Sequence, residues 1–240
     1  TYFESPARAD GSQKWVDYVL TFWHVDYVCS MTLSTFTERY RKWCHRHGYN
    51  FQPDKPGLLM EKAKDLIAML PMDKTTKMLV QTSIAQLNVL SKTVEALRTQ
   101  MIALAEQLPE YPVVIDMNGV GPTLASQLIA EIGDITRFPR RGSLTAFAGV
   151  DPGAKQSGTM QVKSNKTSKA GSPHLRRALF QIVSGLLMRS PDDAVYNFMD
   201  KKRSEGKPYY VYMTAGANKF LRIYYGRVNA HLASLSQEQE

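Results

Sequence analysis

The chain has 240 residues, 43% of them hydrophobic and 22% charged, with a net charge of +8. That composition can bury a real core in one large domain or two small ones, and it excludes a chain too polar to fold. No apolar run approaches the roughly 20 residues that cross a bilayer, and no basic-apolar-small signal opens the chain, so a soluble cytoplasmic protein is expected. The positive balance points to a polyanionic partner wherever the charge is clustered. Cys29 and Cys44 form neither a CxxC motif nor a disulfide framework, which fits a reducing compartment and structural roles for both.

Over residues 12–30, Trp15, Val19, Phe22, Trp23 and Tyr27 fall at spacings of three and four, which predicts one helix with an aromatic inner face. Thr35-x-x-Glu38 has the form of a capping box that opens a second helix through Arg46, with His47-Gly48 marking its end. That helix is basic and aromatic, and His45 and His47 have no partner at metal-ligand spacing. A Pro/Gly hinge at 52–57 precedes a short helix expected to end at Pro71.

The clearest periodicity follows. Val80, Ser83, Leu87, Leu90, Val94, Leu97, Met101, Leu104 and Leu108 alternate steps of three and four, which is a heptad seam. It predicts a helix over 74–108, about 50 Å long at 1.5 Å per residue. The seam calls for a cover, either another helix of this chain or, the favoured choice, a second copy. Pro109 and Pro112 end it.

The second half reads as short helices separated by Gly, Pro and Ser turns. Between Arg137 and Arg189 lie Arg140, Arg141, Lys155, Lys163, Lys166, Lys169, Arg176 and Arg177, against a single acid, Asp151. This is the clustering that a nucleic-acid partner requires. The run 113–125 predicts a helix, the turn Gly119-Val120-Gly121, and a second helix opened by Pro122 and ended by Gly133. Gly119 and Gly121 permit unusual backbone torsions, and they leave the first amides of the second helix, near Thr123, open to a phosphate. The pattern matches the helix-hairpin-helix, a sequence-independent grip on the DNA backbone; a tight turn between helices with no ligand is the plainer alternative.

Residues 144–153 predict a short apolar helix that leaves through glycine into a loop bearing Ser157-Gly158. A serine hydroxyl in a basic loop can meet a phosphate in line, with Lys and Arg holding the developing charge. Spacing alone does not separate this from any other Ser-Gly loop. A polar basic stretch over 163–172 ends at Ser172, a plausible N-cap, followed by Pro173 at the first helical position. The next helix turns Leu175, Leu179 and Ile182 inward and presents Arg176 or Arg177 near its start, where phosphates bind well.

The ordered series Gly119-Val120-Gly121-Pro122, Ala130 to Asp134, Phe147 to Pro152, Ser157-Gly158, Lys169-Ala170-Gly171 and Leu175 to Leu179 resembles the carboxy-terminal half of the DEDD-type insertion-sequence transposases. That family includes the pilin-inversion Piv recombinases and the RNA-guided bridge recombinases. The resemblance covers about residues 109–230, and the helix at 74–108 is similar to the coiled coil preceding this half. It implies that Ser157 is the nucleophile that forms a covalent serine-DNA intermediate. It also implies DNA as partner, a guide RNA in some members, a prokaryotic cytosol or nucleoid setting, and a RuvC-like domain whose four acids bind a divalent metal such as Mg²⁺.

No strand-rich RuvC-like pattern occurs in this chain, and Glu4, Asp10, Asp17 and Asp26 match no metal-binding set. With a first residue that is Thr rather than Met, this predicts a fragment lacking that domain, with no cofactor of its own. The expected organisation is mostly α: an amino-terminal helical region (1–56), a helical and coiled-coil segment (57–108), and a compact helical transposase domain with a helix-hairpin-helix (109–240). Two rival readings remain: a nucleic-acid-binding and assembly module without chemistry, and a helix-hairpin-helix repair or helicase accessory protein, for which no Walker sequence is present.

Overall fold

A computed structural model describes residues 13–151, 156–157, 160–161, 167 and 169–237. The described residues form eleven α-helices, one 3-10 turn and two strands of two residues each, so the fold is mostly α as expected. The chain divides into two compact units, Thr1–Arg98 and Thr99–Glu240.

In the first unit, α1 (Lys14–Thr21), α2 (Val25–Cys29), α3 (Leu33–His47) and α4 (Lys55–Lys64) surround a core of rings. The single helix expected over 12–30 is two. His24 adopts extended backbone, and its Nδ1 accepts the Asp26 N–H at 3.1 Å to cap α2, which stops α1 from continuing. The cap of α3 also differs from the expected Thr35. Thr32 lies at the N-cap and accepts the Thr35 N–H at 3.2 Å, while Glu38 pairs on the surface with Arg41 and Lys42. Gly48, left-handed at φ 64, closes α3 as predicted.

Helix α4 ends well before Pro71, and Ile67 and Met69 beyond it are almost fully exposed. Phe36, Tyr40 and Cys44 are completely buried, and burial raises the Cys44 thiol pKa, in keeping with a structural cysteine.

Helix α5 (Lys74–Ala105) is the predicted long helix, 32 residues in length. Asp73 caps it by accepting the Thr76 N–H at 2.7 Å, and that bond lowers the carboxyl pKa. Ile84 is buried, whereas the seam residues Leu90, Val94, Leu97 and Leu104 are each more than half exposed.

The second unit contains α6 (Tyr111–Ile115), α7 (Pro122–Ile132), a 3-10 turn (Ile135–Arg137), α8 (Arg141–Ala148), β1 (Gln156–Ser157), β2 (Met160–Gln161), α9 (Pro173–Arg189), α10 (Ala194–Ser204) and α11 (Tyr209–Gln237). Helix α9 packs against α7, α8, α10 and α11. Its residues Leu175, Ala178, Leu179, Ile182 and Val183 have no exposure at all. Each large aliphatic buried this way contributes roughly 1.5–3 kcal/mol. The expectation of short helices throughout this half is wrong for α11, which runs 29 residues. Met213, Ala217, Phe220, Leu221, Tyr224 and Val228 supply its buried stripe and make it the wall on which α8, α9 and α10 lie. Gly216 lets α10 approach, because a Cβ there would stand 2.2 Å from Met199 Sδ.

Candidate nucleic-acid interface

The turn between α6 and α7 has two glycines with different tasks. Gly119 is left-handed at φ 82, and a Cβ there would be 3.1 Å from Ile182 Cγ2 and 3.1 Å from Leu186 Cγ, so its bareness lets the turn seat on α9. Gly121 is the N-cap of α7 and faces open space, with Pro122 and Thr123 exposed beside it. The first amides of α7 therefore end in solvent, where an anion can reach them. The flanking Asp116 is paired with Arg227 at 2.5 Å, and Asn118 donates to Asp193 at 3.2 Å, so the turn is tied to α11 and α10. Small Ala125 is fully buried, as its place at a close contact requires.

The second feature is the base of the loop that bears Ser157. Chain leaves α8 through Gly149, left-handed at φ 64. It returns at Lys169, whose N–H donates to the Gly149 carbonyl at 3.3 Å, and at Ser172, whose N–H donates to the Phe147 carbonyl at 2.8 Å. Gly171, at φ 148, is compulsory at this crossing: a Cβ there would lie 2.2 Å from the Phe147 oxygen. Arg176 reaches back from α9 to donate to the Ala148 carbonyl at 3.1 Å and the Lys169 carbonyl at 3.4 Å. Ser172 Oγ accepts the Leu175 N–H at 3.1 Å, the predicted N-cap, and donates to Glu131 Oε2 at 2.8 Å, which joins α7 to the same junction. The loop is thus closed at its root by bonds from α7, α8 and α9. Within it, β1 and β2 pair antiparallel, with Ser157 opposite Met160.

A groove of about 1080 Å³ opens beside this root. Val150, Thr167 and Lys169 bring the loop base to its edge, Arg176, Arg177 and Phe180 come from α9, and Phe198 comes from α10. Helix α11 adds Tyr210, Thr214, Asn218 and Arg222 at a regular spacing of four, which places them on one face. Among the described residues no Asp or Glu lines the groove. Lys169 and Arg177 are exposed, whereas Arg176 is half-buried and engaged with carbonyls.

Of the residues singled out from sequence, Lys169, Arg176 and Arg177 converge on this groove. Gly119, Gly121 and Thr123 belong to the α6–α7 turn instead. Arg140 and Arg141 are exposed at the start of α8, and neither lines the groove. Ser157 is placed by its backbone alone, and Lys155, Lys163 and Lys166 lie outside the described residues. Sequence reasoning missed Phe198, Tyr210, Asn218 and Arg222. The stripe Tyr210-Thr214-Asn218-Arg222 was the available signal, but it belonged to a segment whose helix had gone unrecognised.

Among the described residues no group of three or more His, Cys, Asp and Glu could hold a metal ion. Asp17 accepts the Tyr49 hydroxyl, and Asp26 lies 3.6 Å from His24, so these two acids are engaged separately. Glu4 and Asp10 fall outside the described residues. No described helix is long and apolar enough to cross a membrane.

Residues 112–197 match a family model described as the Transposase IS116/IS110/IS902 family. The match runs from α6 into α10 and includes the α6–α7 turn, the Ser157 loop and the start of α9. The chain is also similar to the "Insertion element IS110 uncharacterized 43.6 kDa protein" of Streptomyces coelicolor, 32% identical over 139 residues, which is 58% of this chain and 34% of that protein. The chain thus spans about a third of the length of the curated relative it matches. The resemblance read from the motif series is supported at the level of an IS110/IS116-type transposase domain.

Proposed function

We propose that the second unit is the DNA-binding, strand-transferring half of an insertion-sequence transposase or site-specific recombinase, with Ser157 as its nucleophile. The observation that carries this is the closed root of the Ser157 loop, held by Arg176, Gly171 and Ser172 at the rim of a groove lined by cations and, among the described residues, by no acids. In the reaction, Ser157 Oγ attacks a DNA phosphorus. The new Oγ–P bond forms as the bond from phosphorus to a deoxyribose oxygen breaks, and that oxygen leaves with a proton as a free hydroxyl. Attack by a hydroxyl of a second strand reverses the exchange and releases the serine. Lys169, Arg177 and the loop lysines hold the charge that develops on the phosphoryl oxygens, while the α6–α7 turn grips the DNA backbone through its open amides.

Among the described residues no acids gather into a four-carboxylate centre of the RuvC-like kind, so a divalent metal is assigned to such a domain joined to this one. A second copy covering the exposed α5 seam completes the assembly, and a guide RNA, where used, selects the target. Ser157→Ala in the full-length protein is expected to abolish recombination and the protein-DNA adduct seen on a denaturing gel while leaving DNA affinity unchanged. Recombination at the parent's rate would refute the assignment.

The scattered acids favour a second reading, a binding and assembly module without chemistry. It expects a salt-dependent mobility shift of DNA or RNA and no covalent product from this polypeptide. A serine-linked DNA trapped with this chain alone would remove it.

A further inference from the structure

The groove has a feature that a grip on duplex phosphates does not require. Tyr210, at the first turn of α11, is 74% exposed although it contributes nothing to the core, and its ring meets Tyr209 edge-on at 5.2 Å. Phe180 and Phe198 line the same groove as Tyr210 and the α9 cations. Lys219 adds a further positive charge 4.8 Å from the Phe198 ring centroid. Asn218 contributes an amide able both to donate and to accept at a base edge. Arg177 of α9 and Arg222 of α11 both line it. The α11 wall, with Tyr210, Asn218 and Arg222, also lies outside the stretch matched by the family model.

We infer that this groove takes an unpaired segment of DNA, with one base stacked on Tyr210 and the flanking phosphates held by Arg177 and Arg222. Tyr209, Tyr210 and Val211 together leave a contiguous apolar patch exposed, and such a patch at a cationic groove without acids among the described residues fits a partner with both a flat π-face and negative charge. Duplex DNA offers the charge but keeps its base faces stacked, whereas an unpaired strand offers both. Single-stranded DNA is the occupant because the root of the Ser157 loop forms the groove's edge, and a strand opened for cleavage there must be held on one side of the break. The inference rests on the DNA-handling reading above.

The test is fluorescence anisotropy with the 240-residue chain, using a labelled DNA strand of about 16 nucleotides, its blunt duplex, and an RNA strand of the same sequence. Tyr210→Ala is expected to weaken single-stranded DNA about tenfold and the duplex hardly at all. Tyr210→Phe, which keeps the ring, is expected to retain parental affinity, and both variants should melt with the parent because the side chain is outside the core. Equal losses on strand and duplex, no loss on either, or a Tyr210 dependence seen with RNA and not DNA would overturn the groove assignment while leaving DNA handling intact. A parent chain that binds neither strand nor duplex would overturn both readings together.

Discussion

The first unit gathers Phe22, Phe36, Tyr40 and Trp43 at a single centre, with Phe22 and Phe36 ring centroids 5.3 Å apart and Tyr40 and Trp43 5.4 Å apart. The second unit buries mainly aliphatic side chains of α7, α9 and α11 and brings backbones close at Gly119, Gly171 and Gly216. A ring cluster concentrates its stability in a few large side chains. A layered aliphatic core with glycine crossings spreads it, and spends it on placing a loop and a groove. The second unit is accordingly the one in which packing places the loop root and the groove that the proposed function uses.

The largest effect is expected in the ring cluster. Phe36→Ala removes a completely buried ring and should cost about 3–5 kcal/mol in urea unfolding of the first unit; a loss near that of a surface change would mean the rings do not act as one core. Gly171→Ala is the corresponding break in the second unit. With a Cβ 2.2 Å from the Phe147 oxygen, the loop root must open, so about 3 kcal/mol and much of the DNA affinity should go together. A variant that keeps either would separate the loop root from the groove.

Arg176 and Arg177 sharpen the contrast between building and binding. Arg176→Ala leaves the Ala148 and Lys169 carbonyls without their guanidinium donor and should lower stability by about 1–2 kcal/mol. Arg177→Ala should leave the melting temperature unchanged and reduce DNA affinity, with the salt slope falling by about one. Reversed outcomes would exchange their roles.

The smallest expected effect concerns Asp134, which caps the 3-10 turn by accepting the Thr136 N–H at 2.9 Å and its hydroxyl at 2.8 Å. The backbone bond, then the hydroxyl, lower its carboxyl pKa, so the folded state favours the ionised form. Its stabilisation is whole above the unfolded-state value of about 3.9 and fades as pH falls through the lower folded value. Melting curves of the parent and Asp134→Asn should therefore converge as the pH drops through that window, and a constant difference would show that the bonds do not depend on charge.

The glycine and proline punctuation was legible in the residues themselves. Gly48, Gly133 and Gly149 end helices, and Pro122 and Pro173 start them, where local chemistry places them. The inward face of α9 and the long α5 followed from periodicity, since a helix shows its buried stripe wherever one face is covered. His24 broke an apparently continuous aromatic helix because its ring captures the Asp26 amide, a competition that periodicity does not register. Thr32 displaced Thr35 as the cap of α3 for the same kind of reason, since two threonines three apart offer the same local chemistry.

The amino-acid sequence by itself determined the helical character, the turn glycines, the crowding of cations between Arg137 and Arg189, and the motif order that singles out Ser157. Those are read along the chain, from local spacing or from the order of residues, without knowing which distant segments meet. Tertiary structure alone decided that Gly119 serves packing while Gly121 faces solvent. It likewise turned Arg176 inward to the loop root and left Arg177 at the groove, and it set Tyr210 and Arg222 of α11 beside α9. Each of those outcomes depends on which backbone or side chain arrives from a distant segment, and only packing around α9 brings those segments together.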